Sequence, residues 1–380
     1  MENLYLLLLK NSIQYKKIKL YNKSLLLNNE DLIIDHRSIC ELLECCNSLE
    51  QNYIGMSIPL TISFNSFCFY DKLTFVLFEC ICYHVLKTRK LKVSYLKKRE
   101  SITTAGISSS PLNLLCNLSF NKIDYLKFNN KFFKEIYHDH FRKIINGNLI
   151  FEGTDELSDL YDDVSNFLNF YNIDEQSKDN IAEVIVELVG NAGEHTGSDC
   201  LIDIDVARNY SKKNADGIFS GINIVIINFS DKLFGDDLKD KILKNNNFLD
   251  DRYIKVLDAY NFHSKYFNNN YSIDDFFNIA AFQHKISGRE KNYRTGGTGL
   301  TKLIHSLEKR ADAHHCYMVS GDSKLVFKQE YLEYNSDNWI GFNEENEFLN
   351  KLPDFDVFEK FPVYIPGTAF NLNFVLKESI

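Results

Sequence analysis

The chain has 380 residues, of which 44% are hydrophobic and 25% charged, enough apolar material for a substantial core in two or three domains. Only 5 prolines are present, which argues against long disordered linkers. The formal net charge of −9 is uneven: residues 1–150 hold 20 Lys/Arg and 13 Asp/Glu (net +7), and residues 151–380 hold 23 and 39 (net −16).

The two parts therefore carry different surfaces, and the basic excess reads as scattered solvated lysines rather than a nucleic-acid footprint. The N-terminus "MENLYLLLLKNS" starts on an acid and has a short apolar run, so it is not expected to be a signal peptide. The longest apolar run, Leu73 to Leu86, is too short and polar to span a bilayer. The 9 cysteines show neither metal nor disulfide spacing, which fits a reducing compartment. The expectation is a cytoplasmic protein with no membrane segment.

Residues 1–50 read as strands and a helix. Leu60, Ile62 and Phe64 alternate with Thr61, Ser63 and Asn65, a strand pattern. Asp71 can cap a helix carrying Leu73, Val76, Leu77 and Cys80. Val93 and Tyr95 alternate with Lys92, Ser94 and Leu96 in a second strand, so the segment predicts a βαβ unit. "SITTAGISSSPLN" is a loop signal, and a domain boundary is expected near residues 145–155.

The second domain opens with an acidic helix near Leu157 to Tyr171. "IAEVIVELVGNAGEHTGS" (Ile181 to Ser198) follows, with Ile181, Val184, Ile185, Leu188, Val189 and Ala192 in one apolar stripe. Glu183, Glu187 and Asn191 recur every four positions and drift by about 40° per step, so they share one arc of the helix. Two strands, "LIDIDVAR" and "INIVIINF", come next, then short helices and loops from Ser230 to Thr295. Gly296-Gly297-Thr298-Gly299 runs straight into a helix carrying Leu300, Leu303, Ile304 and Leu307. Glycines allow close backbone approach, and helix N-terminal amides point at anions. "HCYMVS" and "KLVFKQ" flank Gly321-Asp322 and predict a hairpin, and "TAFNLNFVL" predicts the last strand.

The βαβ segment is similar to STAS domains, the α/β folds of anti-sigma-factor antagonists, in which a phosphorylatable Ser follows the capping Asp. Lys72 and Leu73 follow Asp71 here, so the resemblance implies a docking or regulatory scaffold without a phosphate acceptor, within an N-terminal α/β domain of residues 1–150.

Residues 155–376 resemble the GHKL ATPases, which include gyrase, heat-shock chaperone, histidine kinase and mismatch-repair ATPases. "ELVGNAGEHT" looks like their N-box, "GGTGL" like the second glycine box, and "IPGTAFNL" like the late Gly-Thr entering the final strand. The resemblance implies a Bergerat α/β sandwich over 151–380, a mixed sheet with helices on one face, with ATP and Mg²⁺ as cofactors and a lid over about 230–295. It assigns Asn191 to Mg²⁺, Glu187 to the attacking water, and Gly296, Gly297, Thr298, Gly299 and Leu300 to the phosphates, with Arg294 (beside Arg289 and Lys291) within reach of them. One box departs: Asn228 stands where an adenine-binding Asp is expected, and Ser230 replaces the first Gly of that box. An Asn carbonyl can still accept from an adenine amino group.

"YHDHFRK" offers His138 and His140, but too few residues separate them from Asn191 for a histidine-kinase dimerisation hairpin, and both read as surface or capping residues. The leading expectation is an ATP-gated switch with slow hydrolysis, acting on a protein partner or a second copy through the lid or the N-terminal domain. The alternatives are a serine kinase for a STAS partner and a nucleotide sensor without turnover.

Overall fold

In the computed structural model the described residues are 25–29, 33–53, 55–56, 58–98, 122–210, 217–244, 251–286, 299–310 and 316–378. The chain is a mixed α/β protein with two sheets. The first is a three-stranded parallel sheet of β1 (Leu25–Asn29), β2 (Leu60–Phe67) and β3 (Leu91–Lys98), in that order. Helices α1 (His36–Asn52) and α2 (Lys72–Thr88) make the two crossovers that parallel neighbours require. The expected βαβ unit is present as β2–α2–β3. Asp71 caps α2, accepting from the Thr74 amide (2.8 Å) and the Thr74 hydroxyl (2.7 Å). Nearly every face of α2 is buried, Cys80 and Cys82 included.

The second sheet has six strands: β4 (Lys134–Ile136), β5 (His140–Ile145), β6 (Cys200–Tyr210), β7 (Phe219–Asn228), β8 (Tyr317–Val326) and β9 (Phe358–Lys377), in the order β4-β5-β6-β7-β9-β8. It is antiparallel, not mixed as expected. The short link between β6 and β7 permits only antiparallel neighbours. The hairpin expected at Gly321-Asp322 is also absent. β8 runs through it, paired along its length with β9, and register shifts at Ser320/Gly321 and Gly321/Ser323 absorb the Gly-Asp step. Gly321 has φ +63, so it serves a bulge rather than a turn.

The remaining helices are α3 (Lys122–Phe133), α4 (Gly147–Phe151), α5 (Glu156–Leu168), α6 (Glu175–Thr196), α7 (Asp236–Lys244), α8 (Asp251–His263), α9 (Ile273–Ala281) and α10 (Gly299–Arg310). None of the described helices is long and apolar enough to cross a membrane. By compactness the chain divides into a first unit of residues 1–145, 201–225 and 362–364 and a second unit of residues 146–200, 226–361 and 365–380. The second unit's core includes Leu160, Phe167, Ile185, Val189, Phe276, Phe277, Leu303 and Leu307. Within the expected lid span, residues 236–281 supply α7, α8 and α9, and Leu238, Ile242, Val256, Phe276 and Phe277 are buried there.

Candidate functional site

The polar arc that the sequence singles out lies on α6. Asp174 caps this helix, accepting from the Ser177 amide at 2.9 Å, and Gly197 ends it in the left-handed region at φ 60. Ile181, Ala182, Val184, Ile185, Leu188 and Val189 are buried, each worth roughly 1.5–3 kcal/mol for the larger side chains. α6 packs against α4, α5 and α10. A Cβ on Gly193 would fall 2.6 Å from the Ile150 side chain, so that glycine sets how closely α4 approaches.

Glu183 is exposed and pairs with Lys302 of α10 at 2.9 Å. Glu187 and Asn191 are half-buried, one and two turns further on. Helices α6 and α10 thus lie side by side. Leu300 is half-buried in the first turn of α10, and Gly299 opens that helix. Arg294, Gly296, Gly297 and Thr298 lie outside the described residues.

Asn228, at the end of β7, is 4% exposed. Its Nδ2 donates to the carbonyls of Ser198 and Asp199, both at 3.3 Å, and its Oδ1 accepts from the Thr196 hydroxyl at 3.4 Å. The single Thr196 hydroxyl proton is shared with the Ala192 carbonyl, the nearer acceptor at 2.8 Å. Asn228 therefore ties the C-terminal end of α6 to the strand end. An Asp in its place would aim oxygens at two carbonyls with no proton to give, which is a local reason for an amide at this position. Gly367 completes the knot. It has φ +89, and a Cβ there would lie 2.1 Å from the Asn228 carbonyl oxygen. Ser230, in place of the expected glycine, donates from its hydroxyl to the Lys232 carbonyl at 2.7 Å.

The first unit holds a constellation that sequence reasoning missed. Lys72, at the first turn of α2, is 1% exposed, and its Nζ lies 2.5 Å from Asp203 Oδ1 and 2.6 Å from Asp205 Oδ2. Arg142 bonds Asp203 through Nε and Glu79 through Nη2. His140 Nε2 lies 3.0 Å from Asp203 Oδ2, and its Nδ1 lies 3.5 Å from Glu135 Oε2. Asn223 donates to Asp205 Oδ1 at 2.6 Å. Spacing explains the convergence. Asp203 and Asp205 share one face of β6, His140 and Arg142 share one face of β5, and Lys72 and Glu79 sit two helical turns apart on α2.

Glu79, His140, Arg142, Asp203 and Asp205 are all 0% exposed. His140 is therefore not the surface or capping residue expected from the sequence. Burial would lower its pKa, but the Asp203 charge and the bonds to Asp203 and Glu135 raise it above the ordinary histidine value. Against the opposing effect of burial, Arg142, Lys72 and His140 hold the Asp203 carboxyl well below its ordinary value. Burial likewise opposes the charge of Lys72, and Asp203 and Asp205 override it, so the ammonium is kept. With His140 protonated, Lys72, Arg142 and His140 face Glu79, Asp203 and Asp205, and at the edge Glu135 pairs with both His140 and Lys131. Such a network fixes geometry and resists substitution at any one member. Its burial leaves it no route to a substrate.

No family model, no curated protein and no solved structure matches this chain. Among the described residues no cluster of His, Cys, Asp or Glu has the makings of a metal site.

Proposed function

We propose that the second unit binds Mg-ATP in a Bergerat-type pocket and works as an ATP-gated switch with slow hydrolysis. The observation that carries this reading is the side-by-side packing of α6 and α10, linked by Glu183 and Lys302 at 2.9 Å. It brings the helix bearing Glu187 and Asn191 beside the helix that the glycine box feeds. The donor set suits the ligand. Asn191 offers an amide oxygen of the kind a hard divalent cation prefers, and half-buried Glu187 stands one turn before it. The bound cation would neutralise charge on the triphosphate oxygens. Glu187 is then the base that orients and deprotonates water, while the backbone around Gly299 and Leu300 supplies amide donors to anionic oxygens. At the base end, Asn228 has already given both amide protons to Ser198 and Asp199, so it meets a purine only as an acceptor.

The STAS-like β2–α2–β3 unit favours a second reading, a serine kinase acting on a STAS partner. Its own acceptor position is filled by the buried Lys72, so the acceptor hydroxyl would belong to another chain.

Equilibrium titration with a fluorescent ATP analogue and Mg²⁺ tests the proposal. Saturable binding is expected. Glu187→Gln should retain it and lose phosphate release. Labelled phosphate on an added STAS protein would shift the assignment to the kinase, and no binding at millimolar nucleotide would overturn both.

A further inference from the structure

Outside the proposed nucleotide site, the second unit holds a cavity of about 330 Å³ between the chain leading into α9 and the segment entering β9. Its walls include Tyr266, Tyr271, Phe355 and Phe358, with the carboxylates of Asp275 and Asp354. Phe355 is 94% exposed and Tyr266 48% exposed, so two aromatic side chains stand uncovered at its mouth.

The charge inside is not balanced. Asp275 is 4% exposed, and its carboxylate accepts only from uncharged donors: the Ser272 amide (2.7 Å), the Ser272 hydroxyl (2.8 Å) and the Ser323 hydroxyl. No described Lys, Arg or His forms an ion pair with Asp275 or Asp354. The two rim charges are already committed elsewhere, Glu359 to Lys324 at 2.7 Å and Lys360 to Asp322 at 2.9 Å. Tyr271 is held in place from behind. His263 donates from Nε2 to the Phe348 carbonyl (2.9 Å), so its Nδ1 accepts from the Tyr271 hydroxyl (2.8 Å). Burial and the nearby Asp275 charge push the Tyr271 phenol well above its ordinary pKa, which keeps that donor in place.

Three hydrogen bonds and the N-terminus of α9, where Asp275 is the capping-box acid, hold its charge without neutralising it, and aromatic faces attract cations. Anions are disfavoured by the same charges, and a neutral ligand leaves the carboxylates unbalanced. We propose that this cavity is a binding site for a guanidinium or ammonium group on a short apolar stem, with Asp275 and Asp354 as its counter-charges and Phe355 and Tyr266 as its aromatic walls. The cation can arrive as a free amine or as the basic side chain of a peptide.

The test is calorimetric titration of the full chain with agmatine, with a blocked arginine-containing tripeptide, and with the corresponding neutral urea isostere. Saturable binding of agmatine, of the tripeptide or of both is expected, and which of the two binds assigns the source. Phe355→Ala, at an exposed position, should weaken binding at least five-fold with an unchanged melting temperature. Asp275→Asn, checked for folding by circular dichroism, should weaken it at least ten-fold. The proposal is overturned by no saturable binding of either cation at 10 mM, by equal binding of the urea isostere, or by unchanged affinity in the Phe355 variant.

Discussion

Lys72 and Asp203 meet at 2.5 Å with both side chains out of solvent, although 131 positions separate them in sequence. The pair joins α2 to β6, and it is the point from which the ionic network of the first unit spreads to Asp205, Arg142 and His140. Removing the lysine leaves buried Asp205 without a cation and takes one of three from Asp203. Lys72→Met is expected to destabilise the protein by about 3–5 kcal/mol, read as a lowered urea midpoint. A change below about 1 kcal/mol would mean that solvent reaches the cluster.

His140 gives this network a pH signature. Its folded pKa is raised above the ordinary value of 6.5, so protonated His140 stabilises the fold fully below 6.5, and that contribution is lost as pH rises through the folded value. Carboxylates such as Asp203 and Glu135, whose values are lowered, act at the acid end and are already ionised in this window. His84, pushed down to about 3 by burial and by Lys87, and His263 and His284, lowered mainly by burial, are neutral in the fold but protonated in the unfolded chain below 6.5, so they add an opposing slope that fades as pH rises past that value. The His140 contribution should therefore fall as pH rises from 6.5 through its raised folded value, and His140→Gln should remove that part of the slope. Denaturation midpoints across that range, with the His140 ring followed by NMR, check the sign. A His140 resonance titrating below 6.5 would reverse it.

Asn228→Asp would restore the residue expected in an adenine-binding box and yet should weaken the fold. The Ser198 and Asp199 carbonyls lose their donor, a loss of about 1–3 kcal/mol. Thermal melts of the two proteins measure it. An Asp variant as stable as the parent would show that these carbonyls find other donors.

Gly367→Ala should cost about 1–3 kcal/mol or more, because a Cβ at φ +89 meets backbone that cannot step aside. Gly153→Ala is the comparison. Its φ of +75 is similar, but nothing lies within 4 Å of the added carbon, so the difference between the variants isolates the contact with Asn228.

The polar arc of α6 should divide by function. Glu183→Ala removes a pair whose side chains are 52% and 45% exposed, worth at most about 1 kcal/mol, and should leave nucleotide affinity alone. Asn191→Ala should abolish the Mg²⁺ dependence of nucleotide binding, measured with and without chelator. Equal effects of the two would remove the case for an assigned metal position.

Local physics made part of this protein legible in its sequence. Period-two alternation in Leu60–Phe64, the Asp71 cap and the apolar stripe of α2 are interactions within a few residues, and β2–α2–β3 follows from them. The stripe and polar arc of α6 are equally local, as is the Gly-Leu start of α10. The hairpin reading of Gly321-Asp322 failed because a positive-φ glycine serves a bulge as readily as a turn, and only pairing with β9 distinguishes them.

The buried charges were visible only as alternate polar positions in "LIDIDVAR" and "HFRK", a pattern that also describes a strand with one wet face. Whether that face is wet depends on what covers it. Here α2 supplies Lys72 and Glu79, and the tertiary fold encloses six charged side chains, these two with His140, Arg142, Asp203 and Asp205. The same holds for Asn228 and Asp275. Sequence determined which donors and acceptors each residue owns, and the local Ser272–Asp275 cap with them, but the Ser198 and Ser323 partners come from 30 and 48 positions away, and only the folded chain brought them together.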